Sequence, residues 1–158
     1  MTDFYGDLVG SKVNTLQSTP LIPSALRGGQ DHVLIRDRIA LAASAAQNDR
    51  VLLAKLRSDT IINPVQSIIW FDDFGTSVTM DVGSTATENA LVAAQDVATA
   101  AGSCSFLKSV DIANYWKPLW EQLGLASDPG GYIEIFAKFE AANPDAGDLA
   151  WQIVGQPR

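Results

Sequence analysis

The stretch Tyr132–Glu140, which reads Tyr-Ile-Glu-Ile-Phe-Ala-Lys-Phe-Glu, carries the clearest structural signal in the chain. Apolar side chains alternate along it with charged ones, which is the period of a strand that buries one face. Turn residues at 143–147 separate it from a second alternating run, Leu149–Ile153. We predict that these two runs pair as an antiparallel hairpin. The face of the first run that points to the core would carry Ile133, Ile135, Ala137 and Phe139.

The middle of the chain holds another pair of β-type runs. Val65–Asp72 is rich in branched and aromatic residues, and Ser77–Val82 alternates between apolar and polar residues. Phe74-Gly75 lies between the two runs as a turn signal. This pattern again predicts an antiparallel hairpin.

Two predictions compete between His32 and Leu56. The Ala-rich stretch 40–46 favours a helix, whereas apolar residues at alternate positions between Val33 and Leu41 favour a strand. Turn residues near Asn48 separate this region from a run that is apolar on nearly both faces. We predict two strands joined by a loop near Asn48, with a helix over Asp37–Ala46 as the alternative.

Helical signals are confined to two segments. Thr87–Ala98 predicts a short helix, and Ser103–Val110 after it predicts a strand. Asp111–Leu123 has the best helical period in the chain, but Pro118 would remove an interior hydrogen bond. We therefore expect a short or broken helix there, or a turn that begins near Pro118.

The first 31 residues predict an extended arm. Pro20, Pro23 and Gly28-Gly29 interrupt any regular structure, and the apolar residues follow no period. Such an apolar arm would pack on its own domain or on a neighbouring subunit. The predicted organisation is an arm at 1–31 and a β-sandwich domain at 32–158. The fold class is mainly β, an antiparallel β-sandwich with one or two short helices.

Composition excludes several classes of protein. The net charge is −7, from 18 acidic against 11 basic residues, and the densest basic stretch, Arg36–Arg38, is split by Asp37. We therefore expect no direct nucleic-acid binding. Met1–Gly10 has no signal-peptide pattern, and no apolar run is long enough to span a bilayer, so no membrane partner is predicted. A single cysteine forms no disulfide within the chain.

Reactive groups are scarce, and we expect no enzyme. His32 and Cys104 are the single histidine and cysteine, too few for a zinc site, and no nucleophile elbow or phosphate loop accompanies them. Asp72, Asp73 and Asp81 would approach one another across the predicted hairpin and might suggest calcium, but solvated turn carboxylates explain them better. We predict no catalytic, cofactor-binding or metal-binding residues.

Four tryptophans are many for this length, and we expect most of them in the core rather than on a sugar-binding platform. Two of them lie in the irregular segment near Pro118 and are predicted to be partly exposed. Together with apolar residues of the arm they form the predicted partner interface. Its members are Phe4, Tyr5, Leu21, Ile22, Trp116 and Trp120.

Lys117–Leu125 followed by Asp128–Gly131 resembles a recurring segment of small virion structural proteins of tailed bacteriophages. The resemblance implies a jelly-roll-like β-sandwich and the role of a capsid decoration or minor capsid protein. The Pro-rich stretch Ser18–Gln30 departs from the family pattern, so the docking place of the arm is not implied. Further similar segments are Asp3–Gly6, Asn48–Val51, Leu53–Leu56, Thr79–Gly83 and Asn89–Leu91.

The family likeness therefore predicts a non-enzymatic decoration, or cement, protein. Its partners would be the outer face of the major capsid protein and further copies of itself, with a trimer favoured. Its place would be the head exterior of the virion, after assembly in the cytoplasm of the bacterial host. A neck or tail structural protein is one alternative, and a β-sandwich that binds host glycans is the other.

Overall fold

The computed structural model describes the strand Asp3–Tyr5 and the continuous segment 33–158. Within these residues ten strands form two sheets, accompanied by a 3₁₀ turn at Ile112–Asn114 and one short helix, α1 (Leu119–Gln122). The strands are β1 (Asp3–Tyr5), β2 (Val33–Leu41), β3 (Arg50–Arg57), β4 (Thr60–Ile62), β5 (Ile68–Phe71), β6 (Thr79–Gly83), β7 (Val92–Asp96), β8 (Gly102–Ser105), β9 (Tyr132–Glu140) and β10 (Gly147–Pro157).

The two sheets have different strand orders. Sheet A runs β1-β3-β9-β6-β7, and sheet B runs β2-β10-β5-β8, with β4 also paired to β10. Neighbouring strands are antiparallel except β1, which lies parallel to β3. The two inner faces contribute to a single buried hydrophobic cluster. The mainly β sandwich predicted from the sequence is confirmed.

Strand β3 contains a β-bulge that explains part of its unusual composition. Its register with β9 moves from Leu52 opposite Phe136 directly to Ala54 opposite Ile135, so Leu53 has no partner in the ladder. A one-residue insertion reverses the face to which each later side chain points. The bulge thus turns Lys55 outward and lets the apolar residues on both sides of it reach the core. Leu52, opposite Phe136, is also buried but lies outside the core cluster, so the bulge explains only part of this apolar run.

Trp151 of β10 joins the two sheets through the bulge. Its side chain is 1% exposed, and its indole N–H donates to the Leu53 carbonyl at 2.8 Å. A buried indole N–H needs an acceptor, and the carbonyl of a bulged residue is free to provide one. Sheet B is thereby tied to sheet A at a single defined position.

Both predicted hairpins are wrong in their pairing, although their strands exist. β5 lies in sheet B and β6 in sheet A, and β9 and β10 are likewise in different sheets. A strand with one buried face alternates in the same way whether the next strand pairs beside it or crosses to the opposite sheet. The alternation therefore located these strands but could not choose their partners.

Phe74 shows why the β5–β6 connection crosses the sandwich. Its side chain is fully buried and packs edge-on against Phe139, with 5.1 Å between ring centroids. Its backbone N–H donates to Val97, and its carbonyl accepts from Asp145. The predicted turn residue is therefore a core residue that closes one end of the sandwich.

The helix predicted over Thr87–Ala98 is also wrong, because β7 occupies part of this range. Ala-rich sequence favours a helix, but Leu91, Val92 and Val97 are all fully buried against the sandwich. Tertiary burial overrides the propensity here. The strand predicted over Ser103–Val110 is shorter than expected, since β8 ends at Ser105.

Two other predictions are confirmed. β2 and β3 are strands separated by a turn in which Asn48 has a φ of 70°, so the alternative helix over Asp37–Ala46 does not form. The segment before Gly124 is a broken helix: Asp111 caps the 3₁₀ turn by accepting from Ala113, and α1 begins after Pro118. The 3₁₀ turn ends at Asn114, and Pro118 is the N-cap of α1, where its missing N–H costs no helical hydrogen bond.

The N-terminal arm is described only at β1, whose Asp3–Tyr5 pairs with Arg50–Leu52. Phe4 and Tyr5 therefore belong to a strand at the edge of sheet A. Leu21, Ile22 and His32 lie outside the described residues, as does most of the predicted arm at 1–31. The boundary between arm and domain stays a prediction.

Trp151→Phe is expected to lower the free energy of unfolding by about 2 kcal/mol or more. The substitution leaves the Leu53 carbonyl buried without a donor and opens space in the core. Denaturant titration followed by circular dichroism measures the loss. Trp70→Phe, on an outer face, is the matched control and should change stability by less than about 0.5 kcal/mol. Equal losses in both variants would contradict the role given to Trp151.

Candidate assembly surfaces

The three carboxylates considered for calcium each bond to a different backbone group. Asp72 accepts from the backbone N–H of Asp148, Asp73 from that of Gly75, and Asp81 from that of Ala94. Residues 33–158 contain no group of three or more His, Cys, Asp or Glu side chains that could hold a metal ion. Asp72 and Asp81 thus join separate parts of the chain, and only the hydrogen bond of Asp73 is local.

Cys104 lies on β8, half-buried at the edge of the core. Burial raises the pKa of its thiol from 9.0 to about 11, against a smaller lowering effect of Lys108. The thiolate is the nucleophilic form, so this environment disfavours reaction at neutral pH. None of the helices in the described part of the chain is long and apolar enough to cross a membrane.

The loop between β8 and β9 presents the most exposed aromatic side chain among residues 33–158. Trp116 is 65% exposed, and Ile112, four residues earlier, is 78% exposed. Gln122 is buried, and its side-chain amide donates to the carbonyl of Tyr115 at 2.8 Å, which fixes the backbone beside Trp116. We call Ile112–Leu125 the tryptophan loop. An exposed indole on a fixed backbone is a suitable interface anchor, because little ordering is needed on binding.

Ser58, in the turn between β3 and β4, holds the tryptophan loop in place. Its carbonyl accepts from the N–H of Trp120 at 3.2 Å, and its own N–H donates to Gly131 at 2.9 Å. Its hydroxyl hydrogen bond to Asp128 lowers the pKa of that carboxyl below 3.8, and a hydrogen bond from the backbone N–H of Gly130 makes a smaller contribution in the same direction. One buried serine thus connects α1, the turn before β9 and the end of β3.

The outer face of sheet B carries a second exposed aromatic. Trp70 is 42% exposed and pairs with Ala150, which pairs in turn with Arg38. Directly opposite residues point to the same face, so Arg38 and Trp70 flank the small Ala150, with about 10 Å between their Cα atoms. The next row holds Arg36, Gln152 and Ile68. We call the face made of these two rows the arginine face.

Lysine and glutamate side chains on the outer face of sheet A are paired with one another. Lys55 contacts Glu134 at 3.3 Å, and Lys138 contacts Glu88 and Glu140 at 2.8 Å each. The hydrogen bonds to Glu140 and Glu88 raise the pKa of the Lys138 ammonium above 10.5. These ion pairs reduce the charge that sheet A offers to a partner.

A recess opens on the same side of sheet A, beside Lys138. The guanidinium of Arg50 lies 4.5 Å from the centre of the Phe136 ring, and both residues line the recess. Its volume is about 10 Å³, which suits a single water molecule rather than an organic ligand.

The structure places the predicted interface residues in separate regions. Trp116 lies at the surface, whereas Trp120 is half-buried and packs against the core. Phe4 and Tyr5 are in β1, at the edge of sheet A. The helix α1, which contains Trp120, contacts β4 of sheet B instead. The exposed Trp70 was missed, because the run Ile68–Phe71 is apolar throughout and contains no polar residue to mark its outer face.

Ser58→Ala is expected to raise the pKa of Asp128 toward 3.8. The hydroxyl hydrogen bond favours the carboxylate form and is absent in the variant. In the native protein the Asp128 carboxylate stabilises the fold at any pH above the pKa that Asp128 has in the unfolded chain. This stabilisation is lost as the pH falls through the lower pKa that Asp128 has in the folded protein. Carboxyl NMR titration of both proteins measures the shift. An unchanged Asp128 titration in the variant would contradict the connection through Ser58.

Comparisons with known proteins give the fold and no family. No protein-family model matches the chain, and no curated protein matches it. A chain in the capsid of Ralstonia phage GP4 is similar in structure, with a TM-score of 0.60 and 18% identity over 99% of both chains. A chain in the cyanophage Pam1 capsid asymmetric unit has a TM-score of 0.55 and 12% identity, over 90% of this chain and 95% of that one. At these identities the similarity shows a shared β-sandwich fold.

Proposed function

We propose that this protein is a structural component of a tailed-phage virion and that it decorates the outer face of the capsid. The observation that carries the proposal is the likeness in fold, over nearly the whole chain, to chains of two phage capsids. The segment likeness at Lys117–Leu125 and Asp128–Gly131 points to the same class of protein and is independent of the fold. The protein acts by binding and carries out no reaction.

The tryptophan loop is the proposed contact with the major capsid protein. Trp116 and Ile112 are both exposed in this loop, and Ser58 and Gln122 hold its backbone. A large aromatic that is exposed in the free protein and becomes buried on binding typically dominates the affinity of an interface. The proposed assembly contains further copies of this chain, with a trimer favoured, on the head exterior.

The number of copies per particle tests the position in the virion. Decoration of the whole shell requires the copy number to scale with that of the major capsid protein, so purified virions should contain hundreds of copies. Quantitative mass spectrometry of intact particles measures the ratio of the two proteins. A few copies per particle would instead indicate a neck or tail protein. Absence from the virion would overturn the proposal.

Trp116→Ala is expected to weaken binding to purified capsids that lack this protein by about 30-fold, the loss typical of an interface anchor. Co-sedimentation of the purified protein with such capsids gives the dissociation constant. Trp116→Phe keeps much of the aromatic area and should lose less, and Lys55→Ala on sheet A should bind as the native protein does.

Equal binding by Trp116→Ala and the native protein would remove the tryptophan loop from the contact. Binding of the native protein to a glycan array, lost in Trp116→Ala, would favour a host-glycan function instead.

A further inference from the structure

The arginine face is unusual for a chain of this charge. The net charge is −7, yet Arg36 and Arg38 are both exposed on the outer side of one edge strand, β2. Arg36 donates through Nε to the side chain of Gln152 at 2.7 Å, which holds the guanidinium over the sheet. Trp70 lies two strands away on the same face. Arginine and tryptophan are the residues most enriched at the centres of protein interfaces.

A complementary surface lies at one end of the same molecule. This is the end of the sandwich at which β5, β7 and β9 finish and β6 and β10 begin. The residues at or next to these strand ends include several aspartates. No ion pair joins any of these carboxylates to another residue of the described segments. We call this surface the acidic end. Its members are Asp72, Asp73, Asp96, Asp145 and Asp148, and because Asp148 is on the outer side of β10, one row from Ala150, the acidic end adjoins the arginine face.

We propose that the arginine face binds the acidic end of a second copy of this chain. Both halves of the contact are visible on one subunit: an exposed cationic and aromatic face, and an exposed set of carboxylates that form no ion pair with another residue of β1 or of 33–158. Arginine forms bidentate hydrogen bonds with carboxylates, and Arg36 keeps its terminal nitrogens for this purpose while Nε binds Gln152. Ala150, between Arg38 and Trp70, leaves room for an approaching loop.

The contact joins two different surfaces and is therefore heterologous. Repeated about a symmetry axis, a heterologous contact closes into a ring, which is compatible with the trimer of the proposed function. The two rows of the arginine face cover roughly 200 Å², from three strands at about 4.8 Å spacing and about four residues along each, against about 800 Å² per partner in a standard interface. Self-association should accordingly be reversible and depend on concentration and salt.

The proposed contact rests on the homo-oligomer that is part of the proposed function. It can be measured without a capsid, so the self-association and the capsid binding can fail separately. Sedimentation velocity of the purified full chain over a range of concentrations measures self-association directly. Native protein should associate at low ionic strength and dissociate in high salt. Arg36→Glu should weaken association by about tenfold or more, because like charges would then face each other.

Lys55→Glu is the matched control, since it makes the same charge change on an exposed position of sheet A. It should associate within about twofold of the native protein if charge complementarity at the arginine face is what matters.

The opposite side of the contact is tested by the triple variant Asp72→Asn, Asp73→Asn and Asp145→Asn. Asparagine keeps the acceptor oxygens that bond to the N–H groups of Asp148 and Gly75, so the fold should be retained while three charges are lost. Association should again weaken by about tenfold. A native protein that stays monomeric at every concentration would overturn the proposal. So would equal behaviour of Arg36→Glu and Lys55→Glu, or unchanged association of the triple variant.

Discussion

The hydrogen bond from the Trp151 indole to the Leu53 carbonyl is the interaction on which the arrangement of both sheets depends. It exists because a bulge in β3 leaves Leu53 out of the ladder with β9. The same bulge decides that Lys55 and the ion pairs near it face outward, whereas the inner side becomes continuous apolar surface. Register in one strand thus sets the core, and the core sets the chemical character of each outer face.

The two outer faces and the loop end then have different capacities for binding. Sheet A pairs its charges within itself, through Lys55 with Glu134 and through Lys138 with two glutamates. The outer face of sheet B carries an exposed tryptophan two strands from Arg36 and Arg38. The tryptophan loop is fixed by hydrogen bonds that converge on Ser58. The fold that carries these surfaces is shared with chains of two phage capsids.

Much of the secondary structure could be predicted from the sequence, but the pairing of strands could not. β9 was predicted with its observed bounds, because a half-buried strand alternates clearly. Its partner was predicted wrongly, since alternation is the same in a hairpin and in a crossing between sheets. Phe74 looked like a turn residue because Gly75 follows it, and only the three-dimensional core reveals its burial. Trp116 could be selected from the irregular segment around Pro118, whereas Trp70 carries no sequence signal of exposure.

A reconstruction of the virion tests the central claim most directly, because it shows which surfaces of the sandwich are covered. Density for residues 33–158 is expected on the outside of the shell, with Trp116 buried against the major capsid protein. The proposed decoration role would be contradicted by density confined to the neck or tail, or by a sandwich on the shell whose tryptophan loop points into solvent.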